Sequence, residues 1–196
     1  MTGQGAVAPL SRSRLASLRP LPAQAVTIES GPWHRRRQVN ATAGLAHGLT
    51  QLRRAGTVGN FQTLADGTNA PHGHLGARDA DVKSFVDSDV YKWLEAVAWT
   101  GDISPGLAAE ASEIIDLIER AQDQDGYLNT WFQRQGAGAR FADLGFGHEL
   151  YCLGHLVQAG VAWSRARGDD RLATVSRKFA DLVADVFTPT AAVCGH

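Results

Sequence analysis

The feature that most constrains the fold of this chain is a helix that occurs twice. Trp93-Leu94-Glu95-Ala96-Val97-Ala98-Trp99 reads like Leu156-Val157-Gln158-Ala159-Gly160-Val161-Ala162-Trp163 with one residue inserted. A second helical pattern follows each copy, which is the signature of stacked helical hairpins. Each hairpin keeps an apolar side that only a neighbouring hairpin can cover, so two pairs alone make a poor end point. The pattern calls for a third pair to begin near Val193-Cys194-Gly195-His196, where the sequence stops. The expectation is an all-α fold, the N-terminal part of a larger ring of helical hairpins.

The individual helices follow from periodicity and end signals. Val90, Trp93, Leu94, Val97 and Ala98 form one apolar stripe, preceded by Asp87-Ser88-Asp89 as capping side chains and first-turn negative charge. Ala111, Ile114, Ile115, Leu117 and Ile118 form the next, opened by Ser104-Pro105-Gly106 and closed near Gly126. A long helix from His148 to beyond Trp163 buries Leu150, Leu153, Val157 and Val161, and a fourth, about 170–187, buries Leu172, Val175, Phe179, Leu182 and Val186. Residues 35–54 fit a further helix, weakened by Gly44 and Gly48. Val26-Thr27-Ile28 reads as a short extended arm, with Trp33 available to cover a hydrophobic edge. The glycine-rich stretch 56–83 is the least regular part, too long for a passive connection.

Composition excludes several roles. Lys and Arg number 19 against 20 Asp and Glu, a net charge of −1, which gives no electrostatic case for nucleic acid or a membrane surface as partner. No run approaches the roughly 18 apolar residues of a membrane span. The first 24 residues carry arginines and prolines without the apolar core of a secretory signal, and read as a mobile leader before a domain of residues 25–196. With only Cys152 and Cys194 there is no disulfide framework and no metal knuckle, so a cytoplasmic location is the default.

The candidates for chemistry are few. His72-Gly73-His74 has two imidazoles at i and i+2, but a third ligand would have to come from elsewhere and the flexible context argues against a preformed metal site. Asp87 and Asp89 are accounted for by helix capping. Glu95 and Glu149 lie within helices, where they could orient a histidine or bond a buried backbone group; none of the four has an independent claim to be an acid/base. His148, at a helix start, could donate to a ligand hydroxyl through one ring nitrogen while Glu149 or a backbone carbonyl fixes the tautomer. Trp131, Phe132 and Phe146 could supply an apolar wall beside it. His155, two turns deeper on the same side, reads as a satisfied core histidine.

Three motifs in order carry a family resemblance: Asp87-Ser88-Asp89-Val90-Tyr91-Lys92-Trp93-Leu94-Glu95-Ala96, Ala121-Gln122-Asp123-Gln124-Asp125-Gly126-Tyr127-Leu128-Asn129-Thr130, and His148-Glu149-Leu150-Tyr151-Cys152 with Gly154-His155. Together they resemble the β-L-arabinofuranosidases of glycoside hydrolase family 127. The resemblance implies the first part, less than half, of an (α/α)6 barrel. It also implies a retaining reaction on β-L-arabinofuranosides in which a zinc-held cysteine thiolate is the nucleophile and a glutamate the acid/base. Those groups belong to the later part of the family's barrel, and neither Cys152 nor Cys194 matches their motifs. No catalytic residue and no metal ligand is therefore assigned here, zinc being expected only with the full-length enzyme. His148 resembles a sugar-hydroxyl-binding histidine, and His196 matches the histidine of the family's Gly-His-Pro-Glu motif. The expected partner is an L-arabinofuranose-containing saccharide, with self-association through an uncovered last helix pair. The competing reading is a non-catalytic helical-hairpin module that binds carbohydrate or protein.

Overall fold

The computed structural model of the chain describes residues 21, 25–68, 84–134 and 138–188. Seven α-helices are found among them: α1 Gly31–Val39, α2 Leu45–Ala55, α3 Thr57–Ala65, α4 Asp87–Trp99, α5 Pro105–Ala121, α6 Glu149–Arg167 and α7 Arg171–Val186. A π-turn, Asn40–Gly44, joins α1 to α2 without a break. The helix that residues 35–54 predict is thus present, but widened by one turn of π geometry at its glycine. Residues 26–29 belong to no helix or strand, and Trp33 is 71% exposed, so it covers no hydrophobic edge among the described residues.

The helices form two rows. α2, α4 and α6 pack side by side, and α3, α5 and α7 make the second row, with α6 on α7 and α2 on α3 across the rows. Between them lies one core that includes Phe61, Tyr91, Leu94, Ile114, Ile115, Ile118, Tyr127, Leu156, Leu172 and Phe179. α3 falls in the stretch whose glycines predict irregular chain. Gly56, at φ +84°, ends α2 and opens α3 in a single left-handed residue, with its N–H bonded to Leu52 and Arg53 carbonyls. Val58 and Phe61 then reach the core.

The ends of the other helices follow their side chains. Ser104 caps α5, its hydroxyl oxygen accepting from the Leu107 N–H at 3.2 Å. At the far end of α4, the Arg167 guanidinium of α6 donates to the carbonyls of Val97, at 2.9 Å, and Thr100. Each repeated helix also sends an indole N–H to the backbone of the preceding helix of its own row: Trp93 of α4 to Leu45 of α2 and Trp163 of α6 to Leu94 of α4, both at 2.9 Å. In α4 that role belongs to Trp93, not to Trp99, the residue that the sequence repeat aligns with Trp163. Gly160 lets α6 and α7 close up, since a Cβ there would stand 3.0 Å from the Ala173 backbone. Leu150 and Val157, expected in the core, are instead 41% and 37% exposed on a side of α6 that nothing described covers. No helix of the described residues is long and apolar enough to cross a membrane.

Candidate functional site

The three motif segments meet at the N-terminal ends of α4 and α6, and buried carboxylates join them. Asp87, 1% exposed, accepts from the Thr130 N–H at 2.7 Å and from the Thr130 hydroxyl. Burial pushes its carboxyl up from 3.8 to about 6 against the lowering effect of the two Thr130 bonds. This corrects the capping role expected of Asp87: the residue before α4 is Val86, no side chain caps the helix, and the Asp87 carboxylate ties the first motif to the second. Asp89 stays in the first turn, 3.8 Å from Lys92 Nζ.

Glu149 plays the corresponding part at α6. It is 2% exposed; Oε1 accepts from the Tyr127 hydroxyl, and the Phe141 N–H is shared between Oε1 at 3.0 Å and Oε2 at 2.9 Å. Burial raises its carboxyl above the ordinary range, opposed by the Tyr127 and Phe141 bonds. Glu149 therefore bonds a backbone group and neither faces nor orients the His148 ring directly. With both oxygens engaged inside the protein, it has no free face for proton transfer to a ligand.

His148 sits immediately before α6 in the left-handed region, at φ +55°. Its Nδ1 bonds the Phe146 carbonyl, which also accepts from the Ser84 hydroxyl at 3.3 Å. A carbonyl only accepts, so the neutral ring carries its proton on Nδ1 and presents Nε2 as an acceptor. The direction expected from sequence is thereby reversed. A backbone carbonyl does fix the tautomer, but the neutral ring receives a hydroxyl proton instead of donating one. The ring packs edge-on against Phe85, at 5.5 Å, and Tyr151, at 6.0 Å.

A polar and aromatic strip continues along α6. The Tyr151 hydroxyl accepts from Lys92 Nζ at 2.8 Å, and the His155 ring stands edge-on to Tyr151 at 4.7 Å. His155 is half-buried and bonds the Gln158 side chain, but its Nδ1 has no hydrogen-bond partner among the described residues, so it is only partly the satisfied core histidine that its position predicts. Burial, then Lys92, lowers its affinity for a proton. Leu150, Tyr151, Gly154, His155 and Gln158 line a shallow open cavity of about 280 Å³. Of the expected aromatic wall, Phe146 is 72% exposed beside His148, Trp131 lies under the Arg134 guanidinium at 4.2 Å, and Phe132 packs on the core.

The donor set does not fit the zinc that the resemblance implies for the family. No group of three or more His, Cys, Asp or Glu side chains among the described residues could hold a metal ion. The Cys152 thiol is buried and donates to the Ser84 and Phe85 carbonyls, both at 3.6 Å. Burial, reinforced by Asp87, pushes it well above its ordinary value, the opposite of what a ligand or nucleophile needs. His196, Cys194, His72 and His74 lie outside the described residues. Tyr127, Thr130 and Phe141 were not singled out for this region by sequence reasoning. The only trace of the first two in the sequence is their place in the second motif, Asp125-Gly126-Tyr127-Leu128-Asn129-Thr130, where both prove to be buried.

Comparison with known proteins places the whole arrangement. The model of the β-L-arabinofuranosidase GH127 catalytic domain matches residues 25–193. A non-reducing end β-L-arabinofuranosidase of Bifidobacterium longum subsp. longum is 40% identical over 111 residues, which is 54% of this chain and 17% of that protein. The solved GH127 β-L-arabinofuranosidase of Geobacillus stearothermophilus T6 superposes with a TM-score of 0.74 at 33% identity, covering 83% of this chain and 26% of that one. A second GH127 β-arabinofuranosidase superposes at 0.73 and 23% identity, covering 88% of this chain and 28% of its own, and shares the fold. These neighbours are (α/α)6 barrels, and the two helical rows correspond to part of such a barrel. The chain spans between 17% and 28% of the length of these relatives, and it belongs to the GH127 β-L-arabinofuranosidase family of glycosidases.

Proposed function

We propose that this chain forms one wall of the sugar site of a retaining glycosidase that cleaves β-linked L-arabinofuranosides. In this reading His148 contacts a sugar hydroxyl, His196 is a second contact, and residues other than those described supply the nucleophile, acid/base and zinc ligands. The observation that carries the reading is His148 itself. Its backbone is held left-handed and its Nδ1 is occupied by Phe146, while Nε2 has no hydrogen-bond partner among the described residues. An acceptor beside an exposed aromatic ring, Tyr151, suits a furanose, which offers hydroxyl donors and an apolar ring face.

Inside the chain the division of labour is simple. Asp87 and Glu149 shape the site from below, and Lys92 orients the Tyr151 hydroxyl. Retaining hydrolysis ordinarily needs two acidic groups about 5–5.5 Å apart across the bond that breaks, and neither buried carboxylate is free to be one of them. The chain alone is therefore expected to bind sugar without hydrolysing it.

Titration with methyl β-L-arabinofuranoside, followed by the imidazole resonances, tests the reading. A saturable shift at His148, without one at His34 or His47, is expected; no shift at His148 removes it from the site. The chain alone should release no product from an aryl β-L-arabinofuranoside with or without zinc, and zinc-dependent turnover would overturn the assignment of its carboxylates and Cys152. The uncovered side of α6, with Leu150, Tyr151 and Val157 exposed, favours a second reading in which the chain is a non-catalytic docking module. Sugar-independent self-association without any His148 response would select it.

A further inference from the structure

We propose that Glu149 and Tyr127 are positioning residues for His148: through the Phe141 backbone they hold the loop before α6 in the one fold that fixes the imidazole tautomer. The role in sugar binding rests on the reading of His148 given above; the positioning itself does not.

The geometry of residues 138–148 carries the argument. Among the described residues only two other than glycine have positive φ, Phe141 at +56° and His148 at +55°, and they stand at either end of one short loop. Left-handed backbone is unfavourable for an aromatic residue and persists where surrounding structure over-determines it. At Phe141 the over-determination is the Glu149 carboxylate, which takes the Phe141 N–H on both oxygens. Because Glu149 is the residue after His148, this contact folds the chain back and ties the loop's start to its end.

The inside of the loop is built to the same shape. Asp143 Oδ1 accepts from the Gly145 and Phe146 N–H groups, both at 3.0 Å, and the Asp143 carbonyl accepts from Gly147 N–H at 2.8 Å. Position 147 has no room for a side chain, since a Cβ would stand 2.4 Å from the Asp143 carbonyl oxygen and 3.2 Å from Glu149 Oε2. These bonds place the Phe146 carbonyl where His148 Nδ1–H can reach it.

Tyr127 anchors the carboxylate in turn. Its hydroxyl donates to Oε1, and its ring packs edge-on against Phe141 at 5.5 Å and Phe179 at 5.2 Å. The Arg140 guanidinium covers the ring at 3.9 Å while pairing with Asp125, at 2.7 Å, and with Asp123. Tyr127, itself part of the second motif, thus connects the loop to α7, and the orientation of His148 depends on a side chain outside its own hydrogen bond and ring contacts.

The test is the imidazole itself, read by nitrogen-correlated NMR of this chain. The parent chain should show His148 as the Nδ1–H tautomer. Glu149→Ala should return it to the Nε2–H form that free histidine favours and abolish any shift on titration with methyl β-L-arabinofuranoside. Glu149→Gln should keep the native tautomer, since a carboxamide can accept from Phe141 N–H and donate to the Tyr127 hydroxyl. Tyr127→Phe removes one hydroxyl from a packed ring and should raise the Nε2–H fraction at least several-fold; it decides the matter alone if Glu149→Ala fails to fold. A folded Tyr127→Phe or Glu149→Ala chain with the parent's tautomer overturns the proposal. A tautomer that shifts in those variants, in a chain whose His148 never responds to sugar, upholds the positioning and sinks the sugar contact instead.

Discussion

Burial of Asp87 sets up a measurable conflict at the scale of one residue. Its carboxyl is raised from 3.8 to about 6, because burial outweighs the Thr130 bonds. Between those values the folded chain keeps a proton that the unfolded chain has released, so stability falls as pH rises through the window. At one pKa unit per ~1.4 kcal/mol, the loss across that window is on the order of 3 kcal/mol and is complete above about pH 6. Asp87→Asn cannot ionise. Urea unfolding of both chains at acid and neutral pH should therefore show the variant gaining about 3 kcal/mol relative to the parent as pH rises from 4 to 8. A difference independent of pH would show that Asp87 titrates like an exposed carboxylate. The sequence hid this role for a definite reason: Asp87-Ser88-Asp89 before an apolar stripe is a capping pattern, while the true partner, Thr130, lies 43 residues away and leaves no local trace. The place of His148 just before α6 was legible in the sequence, but its tautomer was not, because His148 and Ser84 converge on the Phe146 carbonyl only in the folded chain.

At the scale of elements, α4, α5, α6 and α7 were readable to within a few residues from their apolar spacing, helped at α5 by the Ser104 cap. The acidic residues expected to cap α4 do not, however, and two of the residues expected inside α6 are exposed. α3 was not, since its glycines outweighed the Val58 and Phe61 pair that does reach the core. The glycine that matters most in α6 works by absence: Gly160 faces Ala173 and Leu172 at backbone-contact distance. Gly160→Ala should push α7 outward and lower stability by about 1–3 kcal/mol, as overpacking does, despite alanine's better helix propensity. Denaturant unfolding would read it, and a stabilised variant would show that the crossing can relax. The repeat predicted the α6–α7 pair, but α4 packs chiefly on α6 and α2, not on α5. It also matched the wrong tryptophans, because Trp93 and Trp163 share a hydrogen-bonding role without sharing a register.

Over the whole molecule, the rows are covered unequally. α4 packs between α2 and α6, whereas α6 leaves Leu150, Tyr151 and Val157 exposed. In isolation the chain is expected to associate through this side, with a sedimentation coefficient that rises with concentration and falls back in Leu150→Gln/Val157→Gln. A parent chain that stays monomeric at all concentrations would show that the exposed side is tolerated by water. That an outer side of the helix rows would be apolar was visible in the sequence as a repeated helix pattern, although which side chains lay on it was not.

The guanidinium of Arg167 gives the row a timing as well as a shape. Helix ends usually fray on their own, since their last carbonyls are free to exchange one water for another. Those of Val97 and Thr100 are held by a side chain from α6, so the end of α4 cannot loosen until α6 lifts away. Amides in the last turn of α4 should then exchange with solvent deuterium at the rate of α6 undocking, not of local fraying. Arg167→Met should speed them by at least tenfold while the middle of α4 keeps its protection. Equal rates in the two chains would mean that α4 ends by itself; unequal ones would make its terminal amides a clock for the neighbouring helix.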